Sequence, residues 1–202
     1  MEFADGIIFI LNQIMNELFP TEDLLPPGFN YYPAFLSKEE EQKLYKEILK
    51  IEIKPMIFQG YEAKRKVASF GYDWSFTHRR LSPGKEIPKE FNFLLEKVAQ
   101  KIDISSNKFA EFLITEYPVG SVINWHRDAP PFDLIAGISL LTKCNFRLRP
   151  YDKDKRNRKS IRSLEVEPRS LYTMSGPARE EWEHSTSPVE AVRYSITLRT
   201  LK

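Results

Sequence analysis

The 202 residues, 42% of them hydrophobic, suffice for one domain with a real core, with or without an extension. No apolar run approaches the ~20 residues of a membrane-spanning helix, and the short Gly6–Leu11 run follows acidic Glu2 and Asp5, so neither a membrane segment nor a signal peptide is expected. The single cysteine, Cys144, excludes an internal disulfide and fits a cytoplasmic protein, while the net charge of +2 hides an acidic residue 1–50 segment and a basic block at 143–163.

The first twenty residues read as an amphipathic helix closed by Pro20, and the turn-rich stretch after it as a connector, so 1–29 form an arm. Ser37, three residues before Glu40, makes a capping box, and Leu44, Ile48 and Leu49 recur at helical spacing, which predicts a helix over 38–51. The stretch 69–76 alternates Phe70, Tyr72, Trp74 and Phe76, the pattern of an aromatic hairpin face. Pro88 opens a second predicted helix, with Phe91, Leu94, Leu95, Val98 and Ile102 on one side. From Phe109 onward, short runs rich in Ile, Val, Phe, Tyr and Thr are broken by turn residues, which predicts an antiparallel sandwich or barrel. The expected layout is α+β: helices in 30–108, then an all-β body over 109–202.

Chemistry enters at "NWHRDAPPFD", Asn124 to Asp133. A mononuclear iron(II) oxygenase site needs two imidazoles and a carboxylate on one face of the metal, with the opposite positions open. Residues two apart on an extended segment share a side, so His126 and Asp128 can converge on one ion. His78 and His184 are the remaining histidines; His78 sits on the aromatic hairpin, and His184 lies just before the last strand. That strand alternates Val192, Tyr194, Ile196 and Leu198 against Arg193, Ser195, Thr197 and Arg199. Its two arginines, ~20 Å apart along the chain, can bracket a short dicarboxylate if both bend inward. The same donor set suits zinc, which leaves a non-catalytic jelly-roll metal-binding module as an alternative.

The order His-x-Asp, later His, then Arg-x5-Arg resembles the AlkB family of iron(II)- and 2-oxoglutarate-dependent dioxygenases. The stretches that carry the resemblance are "YPVGSVINWHRD", "GISLL", "SLYTMSGPAREEWEHS" and "RYSITLR". It implies a double-stranded β-helix, or jelly roll, preceded by helices and a lid hairpin. It implies that His126, Asp128 and His184 bind iron, and that Arg193 pairs with the distal carboxylate of 2-oxoglutarate. Arg199 would sit nearer the metal, with Tyr117, Ser195 and Thr115 around the cosubstrate; Thr115 stands where relatives often carry asparagine. The implied reaction consumes O2 and 2-oxoglutarate and hydroxylates an alkyl group on a base nitrogen, which then leaves as an aldehyde. The substrate would be a single-stranded or flipped-out base in DNA or RNA, met by Tyr72 or Trp74 and by Arg127.

The sequence departs from the DNA-repair pattern after Asp128, where Ala129 and Pro130 replace the expected acid; Asp133 is the nearest substitute. That departure keeps open an oxygenase acting on a protein side chain, a modified tRNA or a small molecule. The basic block at 143–163 favours a phosphate-bearing partner. A monomer is the default.

Overall fold

The computed structural model describes residues 25–58, 61–75 and 78–202. The expected N-terminal helix and Phe76 lie outside them. Two antiparallel sheets face each other. The larger has the order β1-β10-β7-β12-β5-β3-β2, with β4 paired to β3, and the smaller has the order β6-β11-β8-β9. In chain order the large-sheet strands are β1 (Phe29–Tyr32), β2 (Lys54–Phe58), β3 (Tyr61–Ser75), β4 (Arg80–Pro83), β5 (Phe109–Tyr117), β7 (Phe132–Leu140), β10 (Leu171–Met174) and β12 (Arg193–Leu201). The small sheet comprises β6 (Ile123–His126), β8 (Cys144–Pro150), β9 (Arg162–Val166) and β11 (Trp182–Thr186). This is the two-sheet architecture of a jelly roll.

Helices α1 (Lys38–Ile48) and α2 (Asn92–Lys101) cover the outer face of the large sheet. The capping box of α1 forms as its sequence dictates: Glu40 N donates to Ser37 Oγ at 3.1 Å, and Ser37 N donates to Glu40 Oε2 at 2.8 Å. Ser37→Ala is expected to cost about 1 kcal/mol in urea unfolding, with the native spectrum unchanged. Leu44 and Ile48 are buried, whereas Leu49, expected on the same stripe, is 61% exposed because the helix ends one residue before it. From α2, Leu94, Leu95 and Val98 meet Phe112, Ile114, Ile138, Ile196 and Leu198 of the sheet. The inner faces of the two sheets enclose a second core of Phe29, Phe132, Phe146, Leu148, Val166 and Met174.

The layout corrects one expectation. Helices do not precede a separate β body: β1 pairs with β10 and β3 with β5, so strands from before residue 109 belong to the central sheet. The physical reason is edge protection, since β5 and β10 would otherwise present unpaired backbone.

The aromatic hairpin also differs from its sequence pattern. Gly71 adopts φ +83°, and a Cβ there would lie 2.1 Å from the Ala110 carbonyl oxygen. Only glycine tolerates both the left-handed backbone and the close approach. The strand bends at this point, passing from β5 to β4 as its partner. Phe70 consequently enters the helix-side core, while Trp74 packs on the core between the sheets and Tyr72 is 39% exposed. Period-two reasoning put these residues on one face; the glycine breaks the period.

Candidate active site

Central strand β12 sets the site. Flanked by β5 and β7, it turns Tyr194, Ile196 and Leu198 to the helix-side core and Arg193, Ser195, Thr197 and Arg199 inward. Strand β5 does the same at the next position across, where Glu111, Leu113, Thr115 and Tyr117 line a cavity of about 240 Å³. The smaller sheet closes it from the other side with His126 and His184, also in the lining.

The two histidines are direct register partners across β6 and β11, with ring centroids 4.2 Å apart. Asp128 lies two residues beyond the end of β6, in an irregular segment, and its Oδ2 is 3.6 Å from His184 Nε2. One ligand atom from each of His126, Asp128 and His184 falls within 4.8 Å of the other two. His126 Nδ1 donates to the Asn124 carbonyl at 2.8 Å, which fixes the tautomer that leaves Nε2 as the lone-pair donor. These are the three ligands the sequence nominated, and their geometry fits a divalent cation with a facial two-histidine, one-carboxylate set.

The electrostatics agree. Burial, with His126 behind it, pushes the His184 imidazole down to about 3, so it is held neutral and able to ligate. Burial alone would raise the Asp128 carboxyl, but Arg199, with His184, His126 and Arg179 adding to it, overrides that and holds it well below the usual range. Arg199 Nη2 and Nε donate to Asp128 Oδ1 at 2.6 and 3.1 Å. This leaves Oδ2, the oxygen nearer His184, for a metal. The other side of the guanidinium is bound closely by Glu111. Burial pushes the Glu111 carboxyl up, and Arg199 opposes that shift.

Arg193 occupies the other end of the cavity. It is 3% exposed, and its Nε donates to Ser139 Oγ at 3.1 Å. Its guanidinium lies 5.0 Å from the Tyr117 ring centroid. Ser195 Oγ is 3.5 Å from the Tyr117 hydroxyl, and Thr115 is buried beside Ser195 in register. The two arginines therefore do not form one symmetrical bracket: Arg199 is committed to two carboxylates, whereas Arg193 carries no ion pair among the described residues.

The remaining nominated residues divide. Trp74 lines the cavity, but Tyr72 and Asp133 line a separate surface groove instead. Asp133 is exposed because Phe132, its neighbour in an alternating strand, takes the inward position at 1% exposure. Arg127 reaches the rim, where its Nη1 donates to the Glu180 carbonyl at 2.7 Å and its guanidinium lies 3.5 Å from the Tyr151 ring centroid. His78 is exposed and sits 3.0 Å from Ser75 Oγ, apart from the metal ligands. Sequence reasoning missed Glu111, although it lies in phase with Thr115 and Tyr117 and directly opposite Arg199 in register. It also missed Arg179 and Asp73. The basic block is partly neutralised: Arg149 and Arg156 pair with Glu183, Lys143 with Glu165 and Lys155 with Asp152, while Lys153, Arg158 and Lys159 remain exposed.

A sequence model of the 2OG-Fe(II) oxygenase superfamily matches residues 28–199. The chain belongs to that superfamily. Its cofactors are iron(II), 2-oxoglutarate and dioxygen, and His126, Asp128 and His184 are the residues present that fit the metal. Two AlkB homologues are among the proteins the chain is similar to. It is 27% identical over 179 residues to the alkylated DNA repair protein ALKBH8 homolog of Arabidopsis thaliana, covering 78% of this chain. The chain spans about half the length of that curated relative, 50%. The solved structure of OsALKBH1 has a TM-score of 0.69 at 15% identity, over 87% of this chain and 98% of that one, a likeness of fold. No described helix is long and apolar enough to cross a membrane.

Proposed function

We propose that this oxygenase oxidatively dealkylates N-alkylated bases in DNA or RNA, releasing the alkyl carbon as an aldehyde. The observation that carries the reading is that one cavity of about 240 Å³ is lined both by the clustered His126, Asp128 and His184 and by Trp74. An aromatic side chain in the cavity that holds the metal ligands is what an extruded base needs to stack upon, and stacking is worth ~1–3 kcal/mol per base. The name of the curated relative, an alkylated DNA repair protein, supports the same chemistry.

Iron with 2-oxoglutarate and O2 supplies the oxidising equivalents when bound. The chain's own residues do the rest. His126, Asp128 and His184 would hold the metal. Arg193, in no ion pair among the described residues, would pair with the distal carboxylate of the cosubstrate, with Tyr117, Ser195 and Thr115 polar around it. Arg199 keeps Asp128 ionised and oriented rather than clamping the dicarboxylate. Phe132, Phe146 and Ile135 contribute apolar lining to the cavity, which disfavours water at the reacting carbon. Trp74 stacks on the base, and exposed Lys153, Arg158 and Lys159 offer charge to the phosphate backbone.

The test is mass spectrometry of single-stranded DNA and RNA carrying 1-methyladenine or 3-methylcytosine, incubated with protein, iron(II), ascorbate and 2-oxoglutarate. The expected result is loss of one methyl group with equimolar succinate and formaldehyde. Succinate release driven by a peptide, with none driven by either oligonucleotide, would move the substrate assignment to a protein side chain.

A further inference from the structure

Two of the metal ligands sit in a β ladder and one does not. His126 and His184 are fixed by strand pairing, but the chain from Arg127 to Pro131 belongs to no strand, so something else must hold Asp128 in place. The buried Arg179 side chain, 6% exposed and carried on α3 (Gly176–Glu180), reaches across to it. Its Nη2 donates to the carbonyls of Asp128 at 3.1 Å, Ala129 at 2.6 Å and Phe132 at 3.1 Å. In return, Arg127 Nη1 donates to the Glu180 carbonyl on α3 at 2.7 Å. The two arginines thus form a reciprocal clasp. Ala129 and Phe132 are 7% and 1% exposed, so their carbonyls have little water to turn to if the guanidinium is removed. The far end of the clasp is anchored as well, because Ala178 N donates to the Pro27 carbonyl at 2.9 Å. Strand β11, which carries His184, begins two residues after α3 ends.

We propose that Arg179 is a positioning residue of the metal site: it sets the separation of Asp128 from His184 by tying their two segments together. The alternative role for a buried cation here is electrostatic, and the two roles predict opposite signs. A positive charge beside a cation site repels the incoming metal, so a purely electrostatic Arg179 lowers metal affinity and its removal raises it. A geometric Arg179 raises affinity by preorganising a ligand, and its removal lowers it. The three carbonyl acceptors on one nitrogen favour geometry. The inference concerns the metal site and holds whatever the substrate is.

The test titrates the full metal-free chain with cobalt(II), following its visible bands, for wild type, Arg179→Ala, Arg179→Lys and Arg179→Gln. The expected result is a loss of about 10–100-fold in cobalt affinity for Arg179→Ala, an altered band pattern, and recovery when methylguanidinium is added. Arg179→Lys retains the charge but not the planar donor, so it stays weak. Amide exchange over 127–132 rises in the folded Arg179→Ala protein. Unchanged or tighter cobalt binding in the folded variants would overturn the proposal, whatever happens to their stability. Should Arg179→Ala not fold, the lysine and glutamine variants carry the same comparison. Failure to demethylate any oligonucleotide bears only on the substrate reading, since no arm of this titration contains one.

Discussion

Asp128→Ala is expected to abolish iron-dependent turnover and to weaken divalent-metal binding by more than about 100-fold, beyond the ~10–100-fold typical of outer-shell partners. Asp128 is the only carboxylate among the three clustered ligand residues, and its Oδ2 is the atom placed near His184. Removing it leaves two imidazoles and no carboxylate for a cation, with Arg199 now facing the vacated position. That arginine remains paired with Glu111, so the variant loses metal without exposing an unpaired guanidinium. The expected signature is therefore specific: near-native circular dichroism, metal titration lost, and no 2-oxoglutarate-dependent absorption band under anaerobic iron. Asp128→Asn distinguishes shape from charge, since it keeps the side-chain volume and surrenders the carboxylate. Retention of tight metal binding by either variant would remove Asp128 from the ligand set and, with it, the chemistry assigned to the cavity.

The three clustered candidate ligands were legible in the sequence because the chemistry of a facial metal site restricts residue types, and because the chain offers so few histidines. The inward face of β12 was equally legible, since period-two alternation survives wherever a strand has one buried polar face and one buried apolar face. What alternation could not show was where it fails. The left-handed Gly71 sends Phe70 and Trp74 into different cores, and Tyr72 leaves the cavity it was expected to line. Asp133 was nominated by its nearness in sequence to Asp128, but the strand that begins at Phe132 turns it outward. Arg179 was invisible for a different reason. Its acceptors are main-chain carbonyls, which every residue possesses, so no residue pattern announces the contact. Glu111 lay within reach of the method: once β5 and β12 are taken as neighbours, an acid in phase with Thr115 and Tyr117 is the natural partner for an inward arginine.

Arg199→Ala carries the largest expected effect on stability. Asp128 and Glu111 have side chains 6% and 8% exposed, and the Arg199 side chain between them is 13% exposed. Breaking a buried ion pair by deleting one partner costs about 3–5 kcal/mol, because the surviving charge is left without compensation. Here two carboxylates survive, although burial already pushes Glu111 toward its neutral form, which limits the penalty on that side. Urea unfolding of the metal-free variant should show the loss at unchanged slope. Adding Glu111→Gln to Arg199→Ala should recover part of it by removing one of the stranded acids. Divalent metal should also stabilise Arg199→Ala more than wild type, since a cation at Asp128 Oδ2 replaces charge that the guanidinium no longer provides. If Arg199 instead served chiefly to bind 2-oxoglutarate, the variant would unfold within about 1 kcal/mol of wild type, inside the range of ordinary substitutions, and fail only in cosubstrate affinity. Arg193→Ala supplies the control, because among the described residues its cation lines the cavity with no ion pair, and its removal should weaken 2-oxoglutarate binding while leaving metal affinity in place.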